Sequence, residues 1–282
     1  MRRRWALHGY ALYACPECRL EFLDPQPDEP VLAAIYNDAY FLGGQDAASV
    51  EWRSGMKRAT GALYIDALTR MVQPEGANLL EIGCGHGEVL VEARSRGFRV
   101  SGIEISASAA RAANRGLGTQ AVFVGSVETV SLERQHFHAV LAADVLEHVR
   151  DPQRLLMHIY ELLVPGGVVS LITPSLDSWT HRLLGSRWME YKVEHLYYFS
   201  AASVRRLLEK CGFVQVAVSP SRKVLTIDYL AHHFERFPVP IVSPMIGLLR
   251  RLVPAWLARR HLRLPASGLI AFARKPVAGH PI

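Results

Sequence analysis

The 282-residue sequence has no apolar run of about 18 residues or more, so no membrane-crossing helix is expected. Its start, MRRRWALHGYALYAC, is basic but lacks the apolar stretch and small-residue cleavage site of a secretory leader. Cysteine is scarce. Four residues, at 15, 18, 84 and 211, cannot build a disulfide framework and fit a reducing, cytoplasmic compartment. Internal repeats and low-complexity tracts are absent. Acidic residues are thin towards the end: from Asp228 to Pro265, six arginines face only Asp228 and Glu235. With a net charge of +6, that segment suits anionic partners such as phospholipid head groups, nucleic acid or phosphorylated substrates.

What is present is ordinary globular material, half hydrophobic and 21% charged, and long enough for one α/β domain plus additions. Residues 1–50 read as an N-terminal extension with a CxxC-bearing β-hairpin, then a helical pattern from about Glu29. Residues 51–73 read as one amphipathic helix. From Asn78 onward, strands alternate with helices: NLLEI (78–82), RVSGIEI (99–105), QAVFVG (120–125), HAVLAA (138–143) and GVVSLIT (167–173). Helical patterns begin near His86, Ser106 and Pro152. The alternation predicts an α/β fold, a parallel sheet with helices on both faces. A helix near 202–211, a strand in GFVQVAVS and a last strand in GLIAFAR (268–274) follow. The predicted units are a core over 51–220 and 266–282, and a basic, apolar helical insertion over 221–265.

One stretch raises a chemical question. LLEIGCGHGEVL places Gly83, Gly85 and Gly87 directly after an apolar strand that carries Glu81. Glycine tolerates positive φ and close approach of a ligand to the backbone, and the free N–H groups of a helix start face such a ligand. Glu104 ends the next strand, 21 residues after Gly83, where a carboxylate can accept from both hydroxyls of a ribose. Together these predict a nucleoside-containing cofactor. The spacing is G-x-G-x-G after an acid, not the G-x-G-x-x-G of dinucleotide sites.

These motifs, with GIEIS, FHAVLAADVLEHVRDP, LLVPGGVVSLITP and VEHLYYFSAASVRRLLEKCGF, make residues 50–220 resemble the class I S-adenosylmethionine-dependent methyltransferases. The resemblance implies a Rossmann-like sheet of seven strands whose last strand is antiparallel. It implies S-adenosyl-L-methionine as cofactor. The glycine loop, Cys84 included, would wrap the cofactor's methionine part with Glu81 beneath it. Glu104 would hold the ribose, Ile105 beside it would also contact the cofactor, Ser126 and Val127 would flank the adenine, and Ala143 and Asp144 would line the sulfonium side.

Methyl transfer is a direct displacement, helped by alignment and, for a hydroxyl acceptor, by a general base. Two histidines qualify by place: His148 in LEHV and His195 in EHLYYFS. Either could instead fix a loop. Trp179, Trp188, Tyr197 and Tyr198 could form an aromatic wall for the acceptor or the covering segment's own core. Cys15 and Cys18 have zinc-knuckle spacing, but only His8 precedes them, so no bound metal is expected. The 237–265 segment, with Trp256 and its arginine pairs, reads as a cap over the acceptor or as an interfacial helix pair on an anionic membrane.

The expected activity is methylation of a hydroxyl or amine of a small molecule, sugar or lipid-linked metabolite. Two alternatives stay open. One is a nucleic-acid or protein methyltransferase, which the charge permits; against it, Ala143-Asp144-Val145-Leu146 replaces the [DNS]-P-P-[YFW] motif of DNA amino-methylases, and no nucleic-acid recognition module is visible. The other is a non-catalytic cofactor-binding or membrane-associated scaffold.

Overall fold

The structure, a computed structural model, describes residues 1–7, 9–36, 47–236 and 242–277, without the side chains of 47–52 and Arg236. His8, residues 37–46, residues 237–241 and residues 278–282 lie outside that description.

The chain opens with three strands, β1 (Arg2–Leu7), β2 (Tyr10–Ala14) and β3 (Glu21–Asp24), then α1 (Glu29–Ile35) and the long α2 (Ala47–Leu68). The alternating part follows: β4 (Asn78–Ile82), α3 (Glu88–Ser95), β5 (Arg99–Glu104), α4 (Ala107–Leu117), β6 (Val122–Val124), β7 (Phe137–Ala143), α5 (Pro152–Leu162) and β8 (Leu163–Pro174). After it come α6 (Trp179–Leu184), β9 (Tyr197–Tyr198), α7 (Ala201–Lys210) and β10 (Val214–Leu225). Three helices, α8 (Ile227–Arg236), α9 (Val242–Leu252) and α10 (Ala255–Ala258), precede the last strand, β11 (Leu262–Arg274).

Seven strands form one sheet in the order β10-β11-β8-β7-β4-β5-β6. β11 runs antiparallel to both neighbours, and the rest pair parallel. Period-two alternation splits each central strand between two cores. Leu80 and Ile82 pack with Leu156 and Ile159 of α5 and Val204 and Leu208 of α7. Leu79 faces the other way, towards Ile65 and Leu68 of α2, Leu90 of α3 and Ala113 of α4. Each such leucine contributes about 1.5–3 kcal/mol by leaving water.

Local chemistry sets the helix starts. Ser106 accepts from Ala109 N to begin α4, and Asp151 accepts from Arg154 N, with Pro152 in the first turn of α5. Ser200 and Ser203 form a reciprocal box at α7. The exception is α3. Its N-cap is Gly87, at φ 82°, with no side-chain cap, so its first N–H groups stay open to a ligand.

Two expected boundaries move. The helix expected at 51–73 runs over Ala47–Leu68. The insertion expected at 221–265 is shorter, because β10 and β11 continue into it as a ladder pairing Lys223 with Leu264 and Leu225 with Leu262. Pro220 and Pro265 hid this continuation. The hairpin tolerates Pro220 because β10 is an edge strand whose register shifts between Pro220 and Arg222, and Pro265 because the β11–β8 ladder starts only at Gly268.

A second sheet, β1-β2-β3-β9, joins the N-terminal extension to the segment after β8. Trp188, Tyr191 and Tyr198 pack there against Leu7, Leu12 and Leu23. This decides part of the aromatic question. Trp188 and Tyr198 build the core of that sheet, Trp179 is exposed, and Tyr197 packs on the main core with its hydroxyl donating to Arg150 O at 3.0 Å.

Candidate active site

The glycine loop folds back over the end of β5. Gly83 N and Cys84 N both donate to Ile103 O, at 2.8 and 3.2 Å. Gly85 N donates to one carboxylate oxygen of Glu104 at 2.8 Å, and Ser106 N to the other at 2.9 Å. Glu104 is thereby fixed in a single orientation at the floor of a large cleft. A carboxylate has about four lone-pair sites, so two remain for an incoming pair of hydroxyls. Gly83 sits at φ 71°, and a Cβ there would stand 2.6 Å from Val145 Cγ2. Any larger residue would be strained and would also collide.

Beneath the loop lies Glu81. It is buried, and its Oε2 has no hydrogen-bond partner among the described residues. Burial, followed by the nearby Glu88 and Glu104, pushes its carboxyl well above the usual range. Cys84 is buried against Leu90, and burial pushes its thiol up as well. The cysteine therefore packs beneath the loop as a small hydrophobe.

The other half of the cleft is built at the carboxyl end of β7. Asp144 adopts φ 54°, an uncommon left-handed conformation for a non-glycine residue. Two bonds hold it there: its N–H donates to Ile172 O at 2.8 Å, and its carboxylate meets Lys223 Nζ at 3.1 Å. Asp144 is the main cause holding the Lys223 ammonium above its ordinary range, with Tyr64 and Glu190 adding to it. Burial raises the Tyr64 phenol to about 12.

His148 follows one turn later. Its Nδ1 lies 3.0 Å from Glu194 O and 2.8 Å from Tyr36 Oη. A carbonyl only accepts, so the assigned tautomer has the proton on Nδ1 and leaves Nε2 bare. His195 has the same arrangement, Nδ1 to Glu190 O at 2.8 Å. The two rings meet edge to face with centroids 4.6 Å apart. Burial lowers His148 to about 4 and His195 well below its ordinary value. Glu147, buried beside them, accepts from the Thr173 hydroxyl at 2.9 Å. Burial, then Asp144, raises it to about 8, so it is protonated at neutral pH. Glu147, His148 and His195 bring candidate metal-ligand atoms within 4.8 Å of one another, but one oxygen and both Nδ1 atoms are already spent on protein hydrogen bonds.

The cleft brings most of the expected residues together. Gly83, Gly85, Glu104, Ile105, Ser126, Val127, Ala143, Asp144 and His148 all line it. Glu81, Cys84 and Gly87 lie behind the lining as support. His195 corrects an expectation: it is buried behind His148 and does not line the cleft. Tyr36, Thr60, Tyr64 and Lys223 do line it, yet no motif announces them. They arrive from helices and a strand far off in sequence, and the only local signal is the 60/64 spacing on α2.

Comparison with known proteins fits this geometry. Residues 56–218, more than half of the chain, match the methyltransferase domain family. The chain belongs to that family. Similar curated proteins include a ubiquinone biosynthesis O-methyltransferase of Xanthomonas axonopodis, 33% identical over 121 residues, covering 41% of this chain and 50% of that protein. Another is a nocamycin O-methyltransferase of Saccharothrix syringae, 34% identical over 143 residues, covering 45% and 51%. The chain thus spans about half the length of the curated relatives it matches. Among solved structures, phosphoethanolamine N-methyltransferase 2 of Haemonchus contortus in complex with S-adenosyl-L-methionine superposes with TM-score 0.53 at 21% identity, over 76% of this chain and 52% of that one. The fold is that of solved S-adenosylmethionine-dependent methyltransferases, and the antiparallel β11 agrees with what the resemblance implies. The residues present fit that cofactor. The methyltransferase loop is open at Gly85, where a Cβ would meet nothing within 4 Å, and Glu81 keeps an unpartnered buried oxygen beneath it.

Proposed function

We propose that this chain transfers a methyl group to a hydroxyl, or an amine, of a small molecule, sugar or lipid-linked metabolite. One observation carries the reading: a single cleft is lined by the Gly83–Gly85 turn and Glu104 together with Asp144, Lys223 and His148. When bound, S-adenosylmethionine supplies an electrophilic methyl group on a sulfonium sulfur. The residues do the rest. The loop would enclose the methionine part and the free lone pairs of Glu104 would accept the ribose hydroxyls, while Ser126 and Val127 flank the base. Asp144, locked by Lys223, lines the sulfonium side. His148 would take the proton of an acceptor hydroxyl at its bare Nε2, and His195 and Glu194 O hold its ring in place. The named activities of the O-methyltransferase relatives support a hydroxyl acceptor.

Two assays test this. Calorimetry with S-adenosylhomocysteine should show saturable binding, and mass spectrometry of reactions with pooled metabolites should show a methylated product. Failure to bind either cofactor form would overturn the reading.

The lipid-linked form of the acceptor has its own support. On α9 and α10, Leu252 and Trp256 are each 73% exposed and Met245 64%, with Leu248 and Leu249 also open. Arg251 and Arg260 flank this apolar face, while Arg250 and Arg259 pair with Asp228. An apolar stripe rimmed by arginine suits the anionic inner face of a membrane. Leu248→Glu with Trp256→Glu should abolish co-sedimentation with phosphatidylglycerol vesicles. Equal sedimentation of wild type and variant would remove the membrane from the account.

A further inference from the structure

The acceptor end of the cleft has an outer wall that the mechanism does not use. Arg53, Met56, Lys57, Thr60 and Tyr64 all line the cleft from α2. Their spacing of three and four residues puts them on one helix face. At the inner end of that face, Thr60 Oγ1 accepts from Val224 N at 2.9 Å, next to Lys223, and Tyr64 feels the Lys223 charge. That end is anchored beside Asp144, where methyl transfer is placed. At the outer end stand Arg53 and Lys57, two cations one turn apart.

These cations differ from Lys223, which is answered by Asp144. Arg53 Nε is buried and has no hydrogen-bond partner among the described residues. Lys57 is exposed and makes no ion pair among the described residues. A buried guanidinium donor left without an acceptor costs free energy, and paired cations at i, i+4 repel. An anion seated between the two side chains offsets that repulsion. Arginine can grip a phosphate or carboxylate in a two-pronged way, with lysine adding a point charge.

Length adds a constraint. At about 1.5 Å per residue, Arg53 lies roughly 10 Å along α2 from Thr60 and roughly 16 Å from Tyr64. The cleft is about 2640 Å³ and continuous from the glycine loop and Glu104 to Arg53 and Lys57, so cofactor and acceptor share it. We propose that the Arg53–Lys57 face of α2 is an anion subsite, and that the acceptor is an elongated molecule carrying a phosphate or carboxylate roughly 10–16 Å from the atom that is methylated. The acceptor half of this statement rests on the methyl-transfer reading, whereas the anion subsite stands or falls by itself.

The test uses compact dianions on the full chain, with and without saturating S-adenosylhomocysteine. Calorimetric titration with inorganic pyrophosphate and with malonate separates phosphate from carboxylate preference. Wild type should bind at least one of them, more weakly as salt rises. Arg53→Gln with Lys57→Gln should weaken that binding at least tenfold, while Arg53→Lys with Lys57→Arg retains most of it. Thermal melting and S-adenosylhomocysteine affinity of both variants control for folding. Binding of neither dianion by wild type, or equal binding by the Gln variant, overturns the subsite. Loss of S-adenosylhomocysteine binding in wild type would overturn the methyl-transfer reading and leave the pyrophosphate and malonate result to judge the subsite.

Discussion

His148 and His195 pack edge to face with ring centroids 4.6 Å apart, and of the two only His148 lines the cleft. The pair therefore divides the labour that sequence alone leaves between two candidates. His148→Ala should cost about 10²–10⁴-fold in turnover with cofactor affinity nearly unchanged. His195→Ala should cost less turnover and more thermal stability, since it removes a buried support that touches no acceptor. Steady-state kinetics and melting curves on both variants check the split, and equal turnover losses would contradict it.

The pH profile follows from burial. A base must be neutral to accept a proton, and burial lowers His148 to about 4. Turnover should stay flat as pH falls through 6.5 and drop only near 4. A break near 6.5 that disappears in His148→Ala would show the histidine to be unburied in the working enzyme.

Glu147 should make the protein less stable as pH rises. Its folded value, about 8, lies above the ordinary 4.5, so the folded state holds a proton that the unfolded chain releases. Its contribution is complete below about 4.5 and is lost as pH climbs through about 8. Below 6.5 the lowered histidines act in the opposite sense, because their stability is lost as pH falls. Between pH 6.5 and 8 the histidines no longer oppose it, while the raised Glu81 acts in the same sense, so Glu147 supplies part of the decline. Glu147→Gln should flatten the decline of melting temperature there. An unchanged slope would mean that Glu147 is already ionised in the folded state.

Glu104 ties the glycine loop to the ribose site. Glu104→Ala should weaken S-adenosylhomocysteine binding by about 1.5–3 kcal/mol through lost charge-assisted hydrogen bonds. It should also loosen the loop, because Gly85 N and Ser106 N lose their acceptor. Calorimetry reads the first effect and amide exchange at Gly85 the second. Wild-type affinity would refute the ribose assignment.

The cysteine pair should not hold stoichiometric zinc. Cys15 and Cys18 lie in the turn between β2 and β3, and among the described residues the cluster with metal-ligand spacing is Glu147, His148 and His195, in another part of the chain. Elemental analysis showing one tightly held zinc per chain, lost in Cys18→Ser, would contradict this.

The sequence by itself determined whatever rests on local chemistry. The Gly83–Gly87 loop, the acid at Glu104, the helix starts near Ser106 and Pro152 and the strand–helix alternation are set by residues within a few positions of one another. Backbone conformation and short-range hydrogen bonds decide them, so they were legible. The tertiary structure alone decided whatever depends on charges and burial meeting across the chain. Lys223 pairs with Asp144 from 79 residues away, because the β10–β11 hairpin extends past two prolines that seemed to end it. Trp188 and Tyr198 became core, and His195 fell behind His148, because the second sheet closes over them. A proton affinity depends on how much water and which charges surround a group. That is a property of the packed molecule, invisible in the order of its residues.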